Sequence, residues 1–129
     1  MNRLSEDIVK RLDGLRFDHK RLVAFQVALE ALLRGEELLD NVPRGHAPLV
    51  DQTRRALQGA YLNTCEGAGK IGAARLAAFR IAETESSEAG GGFEALLRLG
   101  LVEPNEAMAV LERLDRLCGL LTGLAKLRR

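Results

Sequence analysis

Aromatic side chains are scarce in this sequence, and tryptophan is absent. Phe, Tyr and Trp together make up 4% of the 129 residues. Proteins that bind single-stranded nucleic acid by base stacking normally use more aromatic rings than this. The charge is also nearly balanced, because 19 Lys and Arg residues face 18 Asp and Glu residues and leave a net charge of +1. The composition therefore argues against a stacking platform and against the basic excess of a duplex-binding domain, although a local basic patch is compatible with it.

Cysteines and long apolar runs are scarce as well. The two cysteines, Cys65 and Cys118, are far apart in sequence and form neither a disulfide framework nor a CxxC metal motif. We interpret both as buried structural thiols in a reducing cytosol. No stretch reaches the roughly 18 uninterrupted apolar residues of a membrane helix, and the N-terminal segment lacks the apolar core of a signal peptide. The sequence therefore predicts a cytoplasmic protein without a membrane span.

The sequence does contain long stretches of strong helix formers, mainly Ala, Leu, Glu and Arg, between a few helix breakers. Pro and Gly are concentrated at 40–48, 67–72 and 100–104, and no β-branched residues alternate with polar ones as in a strand. We therefore predict an all-α protein with one domain over 1–129, of which 1–16 is an N-terminal extension. The helices are expected near 17–40, 48–67, 73–99 and 104–127, with a short additional helix near 5–13 that ends at Gly14.

Apolar residues recur at three- and four-residue steps along the last predicted helix, as at Leu111, Leu114 and Leu121, and further leucines widen the stripe. A stripe of this width suits a bundle helix with neighbours on two sides. Because the connections are short, sequential helices should be antiparallel and form an up-down-up-down four-helix bundle. The additional leucine face cannot be hidden in one protomer and predicts a stable homo-oligomer. This face consists of Leu117, Leu120 and Leu124.

Polar residues interrupt the expected core faces of the second and third long helices. Heptad spacing from Leu49 gives a core-facing line of Gln52, Ala56, Gly59, Asn63 and Glu66 in the second, and two acids flank the line Ile81, Gly92, Ala95 and Leu99 in the third. Because buried carboxylates need partners, we expect one of two adjacent arginines to pair with them. The predicted polar network consists of Gln52, Arg54, Arg55, Asn63, Glu66, Glu85 and Glu88.

Three successive glycines, Gly90–Gly92, fall inside the third long helix. They cost on the order of 2–3 kcal/mol relative to alanines in a helix. Either close packing against the preceding helix offsets this cost, or the helix kinks at the glycines. Small residues on both helices would permit the close packing, namely Ala56, Gly59, Ala60, Ala89 and Gly90.

Several segments match, in order, the sequence pattern of a known family. They are Phe25-Gln-Val-Ala28, Gln52-Thr-Arg-Arg-Ala56, Asn63-Thr-Cys-Glu-Gly67 and Phe79-Arg-Ile-Ala82, with Glu88 further along. The series resembles the 23S ribosomal RNA intervening-sequence protein family, small bacterial four-helix-bundle proteins, over about residues 17–127. Two positions depart from the family pattern. Thr64-Cys65 replaces Ile-Ala, and Thr84-Glu85 replaces Gly-Ser and puts an acid between the second and third long helices.

This resemblance implies a ring-like homopentamer, no known catalytic activity and a largely unassigned cellular role. It also implies a relationship to the accessory variability determinant of diversity-generating retroelements, which shares the fold, binds nucleic acid and assists a reverse transcriptase. That accessory protein is more basic than this chain.

Motifs for metal or nucleotide chemistry are incomplete in the sequence. A di-iron bundle needs Glu-x-x-His on two helices, but His19 and His46 are preceded three residues earlier by Arg16 and Pro43. The segment 67–70, Gly-Ala-Gly-Lys, lacks the first Gly and the final Ser or Thr of a P-loop and follows no strand, so a helix C-terminus and turn explain it better. We therefore expect no enzymatic activity, no metal and no cofactor.

Basic residues form three small clusters, which are ordinary surface charge unless an oligomer repeats them and makes them multivalent. The clusters are Lys10, Arg11, Arg16, Lys20 and Arg21; Lys70, Arg75 and Arg80; and Lys126, Arg128 and Arg129. The second cluster supplies the candidate nucleic-acid-binding residues. The leading hypothesis is a non-enzymatic oligomeric scaffold or interaction module. The alternative is a nucleic-acid-binding accessory protein that partners a reverse transcriptase.

Overall fold

The computed structural model describes residues 4–126. Within this range the chain forms five α-helices, one short 3-10 helix at Asp18–Arg21 and no strand. The α-helices are α1 (Glu6–Asp13), α2 (Val23–Asp40), α3 (Ala47–Ala68), α4 (Gly72–Arg98) and α5 (Pro104–Lys126). The prediction of an all-helical chain is confirmed for the described residues. Residue 127 of the last predicted helix, Arg128 and Arg129 lie outside them.

The helix ends follow the predicted breaks, except at the start of α2. The sequence predicts a helix from residue 17, but α2 begins at Val23, because Leu22 is extended (φ −91°, ψ 132°) and separates the 3-10 helix from α2. At α1, the Ser5 side chain accepts a hydrogen bond from the backbone N–H of Ile8 at 3.3 Å. This is the usual N-cap interaction, and Gly14 is the C-cap residue, as predicted.

The four long helices enclose the core, since α2 and α4 each pack against both α3 and α5. The buried apolar residues form two clusters at different levels of the bundle. One cluster consists of Ala24, Val27, Ala28, Ala60, Phe79, Ala82, Leu117 and Leu121. The other consists of Ala31, Leu38, Leu39, Ala56, Leu57, Ala89, Phe93, Leu96, Ala107, Val110 and Leu114.

Glycines allow α3 and α4 to approach closely. A Cβ atom added to Gly92 would lie 2.0 Å from Thr53 Oγ1, and one added to Gly67 would lie 2.6 Å from Phe79 Cε1. A Cβ at Gly90 or Gly91 would meet no atom within 4 Å, and α4 is helical without interruption across the triplet. Within the triplet, close packing therefore explains only Gly92, and the expectation that Gly90 contacts the preceding helix is wrong.

The core faces of α3 and α4 are rotated from the predicted ones. In α3 the buried residues are Thr53, Ala56, Leu57, Ala60, Thr64 and Gly67, while Gln52 and Glu66 are exposed. In α4, Ile81 and Leu99 are exposed, and the buried face contains Phe79, Ala82, Phe93 and Leu96. A step of one residue rotates a helix face by about 100°, so the predicted heptad lines follow the edge of the core instead of its centre.

The leucine face of α5 is hidden within one chain. Leu117 is fully buried, and Leu120 and Leu124 are half-buried against the first cluster. The argument that these leucines require a second protomer is therefore wrong, because α2 and α4 already cover α5 on two sides.

Candidate interaction surfaces

Charged residues are distributed unevenly along the bundle. We define the basic half as residues 4–28, 60–82 and 117–126, and the acidic half as residues 29–59 and 83–116; each contains one core cluster. The basic half has nine Lys and Arg against five Asp and Glu, whereas the acidic half has seven against thirteen. The nearly neutral chain therefore has two halves of opposite net charge.

Two amide–carboxylate pairs join α3 to α4. Gln52 Nε2 donates a hydrogen bond to Glu88 Oε1 at 3.1 Å. Asn63 Nδ2 donates to Glu85 Oε1 at 2.7 Å and to the Gly59 carbonyl at 3.0 Å. Four of the seven residues of the predicted network thus meet between these helices. The two carboxylates, Glu85 and Glu88, accept hydrogen bonds from amides and not from arginines.

The Glu85 carboxylate lies over Gly59, where a Cβ atom would be 1.4 Å from Glu85 Oε2. Burial raises the pKa of Glu85, the nearby charge of Glu88 raises it further, and the hydrogen bond from Asn63 acts in the opposite direction. The bare glycine therefore makes room for a carboxylate in a half-buried position where its charged form is disfavoured.

Arg54 lies on the other side of α3 and binds α2. It donates through Nη1 to Glu36 and through Nη2 to Asp40 Oδ1 at 3.0 Å. Gln58 Nε2 donates to the same Glu36 carboxylate at 3.0 Å. Burial lowers the pKa of Arg54, but the Asp40 hydrogen bond and the two acidic charges outweigh this effect and raise it. The expected pairing of Arg54 with the α4 carboxylates is therefore wrong.

The remaining members of the predicted network are surface residues. Glu66 is exposed and pairs with Lys70 one turn along the chain, with Nζ and Oε1 2.5 Å apart. Arg55 is exposed and forms no ion pair with another described residue. The expectation that these two residues join a buried pair is wrong, because both project away from the contact between α3 and α4.

Two of the three candidate nucleic-acid-binding residues share a surface depression in the basic half. Lys70, Arg75 and Arg21 line this depression of about 400 Å³ beside Asp18. The Arg75 guanidinium lies 4.7 Å from the Phe79 ring centroid, and its Nη1 donates to the Gly67 carbonyl at 3.3 Å. Two of the cations in the depression already have acidic neighbours, since Lys70 pairs with Glu66 and Arg21 with Asp18 at 3.3 Å. Arg80 is exposed and is not part of the depression.

Helix α1 presents an apolar face that no other residue between 4 and 126 buries. Ile8, Leu12 and Leu15 follow one another at four- and three-residue steps, and each is between 37% and 46% exposed. Leu4, which precedes the helix, is also exposed. No residue of α1 is buried. This spacing was visible in the sequence, but the helix was interpreted only as an N-terminal extension.

A series of aromatic ring contacts attaches the segment after α1 to the basic half. Phe17 stacks on His19 at a centroid distance of 5.6 Å, His19 contacts Phe25 at 4.6 Å, and Phe25 contacts Tyr61 at 5.9 Å. Lys20 Nζ donates to the Leu12 carbonyl at 2.8 Å and thereby holds α1 against this segment. The few aromatic residues are thus concentrated where α1 joins the bundle.

The acidic half has an apolar groove of about 640 Å³ between α4 and α5. Leu97, Met108 and Leu111 form its apolar surface, and Met108 is 45% exposed. Its charged lining consists of three acids and one base, namely Glu94, Glu112, Asp115 and Arg98. The sequence alone does not predict this groove, because its residues come from two helices whose mutual rotation is a property of the packing.

Residues 4–126 were compared with the requirements of a metal site and of a membrane-spanning helix, and they meet neither. The described residues contain no group of three His, Cys, Asp or Glu side chains able to hold a metal ion. Between residues 4 and 126, no helix has both the length and the apolar character needed to cross a membrane.

Cys65 and Cys118 are free thiols and only half-buried, so the interpretation of them as buried thiols is wrong. Burial nevertheless raises the pKa of Cys65.

Comparison with known proteins adds no family assignment. No protein-family model matches the sequence, and no curated protein sequence matches it significantly.

Proposed function

We propose that this protein is a non-enzymatic, cytoplasmic homo-oligomer that acts as a scaffold or interaction module built on an up-down-up-down four-helix bundle. Two side-chain pairs support this topology because each joins the N-terminal part of one helix to the C-terminal part of its neighbour, as antiparallel packing requires. Glu36 of α2 pairs with Arg54 of α3, and Gln52 of α3 pairs with Glu88 of α4. Arg113 of α5 pairs with Glu30 of α2 at 2.9 Å, which joins the last long helix to the first and supports a closed bundle.

The unburied apolar face of α1 is the observation that carries the proposed self-association. An amphipathic helix normally buries its apolar face against a neighbour, and the described residues of this chain leave Ile8, Leu12 and Leu15 exposed. Contiguous exposed apolar surface is typical of sites where proteins bind one another. The family resemblance favours a homopentamer, and the free thiols Cys65 and Cys118 are compatible with a reducing compartment.

Sedimentation-equilibrium ultracentrifugation of the full chain at micromolar concentration tests this proposal. We expect a discrete species that contains at least two 14.1 kDa chains, and five chains if the family assembly applies. A chain that sediments as a single 14.1 kDa species across the concentration range would contradict the self-association.

The nucleic-acid alternative is favoured by the concentration of cations in the basic half. The family resemblance implies a reverse transcriptase as the partner of such an accessory protein. The chain would bind phosphates through Lys70 and Arg75, with Arg80 contributing from the neighbouring surface. Such binding would be directed to the backbone, since few aromatic rings are available for base stacking. It should be weak at physiological salt, because each neutralised phosphate makes affinity more sensitive to salt.

A fluorescence-anisotropy titration with a labelled RNA oligomer across a salt series tests the alternative. Binding that appears at low salt and is weakened by Lys70→Ala and Arg75→Ala, but not by Arg98→Ala in the acidic half, would support it. No binding at low salt would contradict it.

A further inference from the structure

We propose that the depression lined by Arg21, Lys70 and Arg75 binds the terminal phosphate of a nucleotide, as found at the 5′ end of a nucleic-acid strand. This site deepens the nucleic-acid alternative, on which it rests, because it names the chemical group that the basic half would bind. A terminal phosphate is a monoester with nearly two negative charges at neutral pH. Each phosphate inside a strand is a diester with one negative charge.

The Arg75 guanidinium has one edge that the fold leaves without a partner. Its Nη1 donates to the Gly67 carbonyl at 3.3 Å, and its central carbon lies 4.7 Å from the Phe79 ring centroid. These contacts hold the group in place, yet neither Nε nor Nη2 donates a hydrogen bond to another described residue, and Nε is buried. Arg75 also has no ion pair within residues 4–126. Because Nε and Nη2 form the fork through which arginine binds two oxygens of one phosphate, a phosphate would satisfy this edge.

Two more cations reach the depression from other parts of the chain. Arg21 ends the 3-10 helix, and Lys70 lies in the turn between α3 and α4. Arg21 pairs with Asp18 and Lys70 with Glu66, but all four side chains are exposed to solvent. Since exposed ion pairs are weak, a phosphate with two charges can replace either acid as the partner of the cation. Within the lining itself, three cations face a single acid.

The depression has a suitable size and apolar walls for one nucleotide. Its volume of about 400 Å³ falls within the range of roughly 300–1,000 Å³ that is typical of small-ligand sites. Leu22, Ile71 and Leu124 line it and offer an apolar surface to the sugar or base. Ile71 is also the N-cap residue of α4, and no side chain caps the first turn of that helix. The positive end of the α4 dipole therefore adds to the attraction for a phosphate.

Burial of the Arg75 edge favours the end of a strand over its interior. A terminal phosphate carries a sugar on one side only, so its free oxygens can reach a recessed donor. An internal phosphate carries a sugar on both sides and stays further out. Arg80 is exposed and lies outside the depression, so it is available to the backbone of a strand and not to the end seated beside Arg75.

Two versions of one short RNA test this site, one with a 5′-phosphate and one with a 5′-hydroxyl, each carrying a fluorophore at its 3′ end. Anisotropy titrations at low salt measure both affinities. We expect the 5′-phosphorylated RNA to bind about tenfold more tightly, which is the ratio that one additional charged hydrogen bond gives. Adenosine 5′-monophosphate should displace this RNA at lower concentration than adenosine does. Equal competition by the two would contradict recognition of the phosphate.

Three variants locate the preference. Arg75→Gln removes the guanidinium fork but keeps a long side chain next to Phe79, and Arg21→Ala removes a cation whose side chain is 80% exposed. Both should lose most of the preference for the 5′-phosphate. Arg80→Ala removes the same charge outside the depression and is the matched control, so it should weaken both RNAs equally and keep the preference. Circular dichroism checks that each variant is folded, and Arg21→Ala alone decides if Arg75→Gln is not.

The outcomes separate this site from nucleic-acid binding in general. If both RNAs bind with the same affinity, the depression does not recognise a strand end and only this inference fails. If the preference survives in folded Arg75→Gln and Arg21→Ala, or is lost equally in Arg80→Ala, the terminal phosphate binds elsewhere and the inference is again wrong. If neither RNA binds at low salt, the nucleic-acid alternative fails together with it.

Discussion

The acidic and basic halves of the bundle are held together differently, although the same four helices pass through both. In the acidic half, ion pairs connect separate helices, as in Arg54 with Glu36 and Arg113 with Glu30. In the basic half, the described ion pairs are local, as in Lys70 with Glu66. Aromatic ring contacts and the close contact of Gly67 with Phe79 hold that half, and α1 remains without a buried face.

The two halves therefore differ in whether their charged and apolar side chains contact other helices or face solvent. Ion pairs across helices and the larger core cluster stabilise the acidic half internally. The basic half exposes apolar and cationic groups that its own fold does not use. The ion pairs between helices therefore lie in the acidic half, whereas the helix without a buried residue lies in the basic half.

The largest expected effect comes from removing the aromatic side chain at the centre of the acidic half. Phe93 is fully buried, so Phe93→Ala should lower the free energy of unfolding by about 3–5 kcal/mol. Phe17→Ala removes an exposed ring of the basic half that stacks on His19, and it should cost only the roughly 0.5–1.5 kcal/mol of one aromatic pair. Urea unfolding at one fixed protein concentration measures both, since association also affects stability. Equal losses would remove the distinction between core and surface rings.

Substitutions within the glycine triplet should have opposite signs. Gly92→Ala places a methyl group against Thr53 and should destabilise the fold by about 1–3 kcal/mol. Gly91→Ala meets open space and improves helix propensity, so it should stabilise the fold by up to about 1 kcal/mol. Thermal unfolding of the two variants measures the difference. Two shifts of the same sign would contradict the close approach of α3 to α4 at Gly92.

Ion pairs should matter more in the acidic half than in the basic half. Arg54→Ala removes charged hydrogen bonds at a half-buried site and should cost about 1.5–3 kcal/mol. Lys70→Ala breaks an exposed pair and should cost less than about 1 kcal/mol. Urea unfolding of both variants compares them. If Lys70→Ala were the more damaging, the assignment of cohesion to the acidic half would be wrong.

The smallest expected effect concerns the pH dependence caused by Glu85. Its pKa is raised in the folded chain, so the folded state favours the protonated form, and stability falls as the pH rises from the unfolded pKa of about 4.3 through the folded pKa. Glu85→Gln should therefore stabilise the fold slightly at neutral pH, with no gain below the unfolded pKa. Glu112→Gln, on the exposed side of α5, is the control. A gain that is the same at acidic and neutral pH would contradict this assignment.

Helix positions could be predicted from the sequence because Pro and Gly interrupt otherwise uniform runs of helix formers. The rotation of each helix could not be predicted with the same accuracy. The line through Gln52 and Glu66 differs from the buried line through Thr53 and Gly67 by one residue. That step exchanges which side chains meet, so Arg54 pairs with α2 and the amides of Gln52 and Asn63 meet the α4 carboxylates.

The interaction surfaces show the same division between local and non-local information. The apolar spacing of Ile8, Leu12 and Leu15 is local and was available in the sequence. The groove formed by Leu97 and Met108 depends on how α4 packs against α5, which no single segment encodes.

The mass of the unmodified full chain, measured by light scattering across a salt series, tests the central claim most directly. If the oppositely charged halves drive self-association, the mass should be at least twice the 14.1 kDa of one chain at low salt and should decrease towards that of one chain as salt screens the contact. A mass of 14.1 kDa at every salt concentration would contradict self-association. A multimer whose mass is insensitive to salt would contradict the role of the opposed charges.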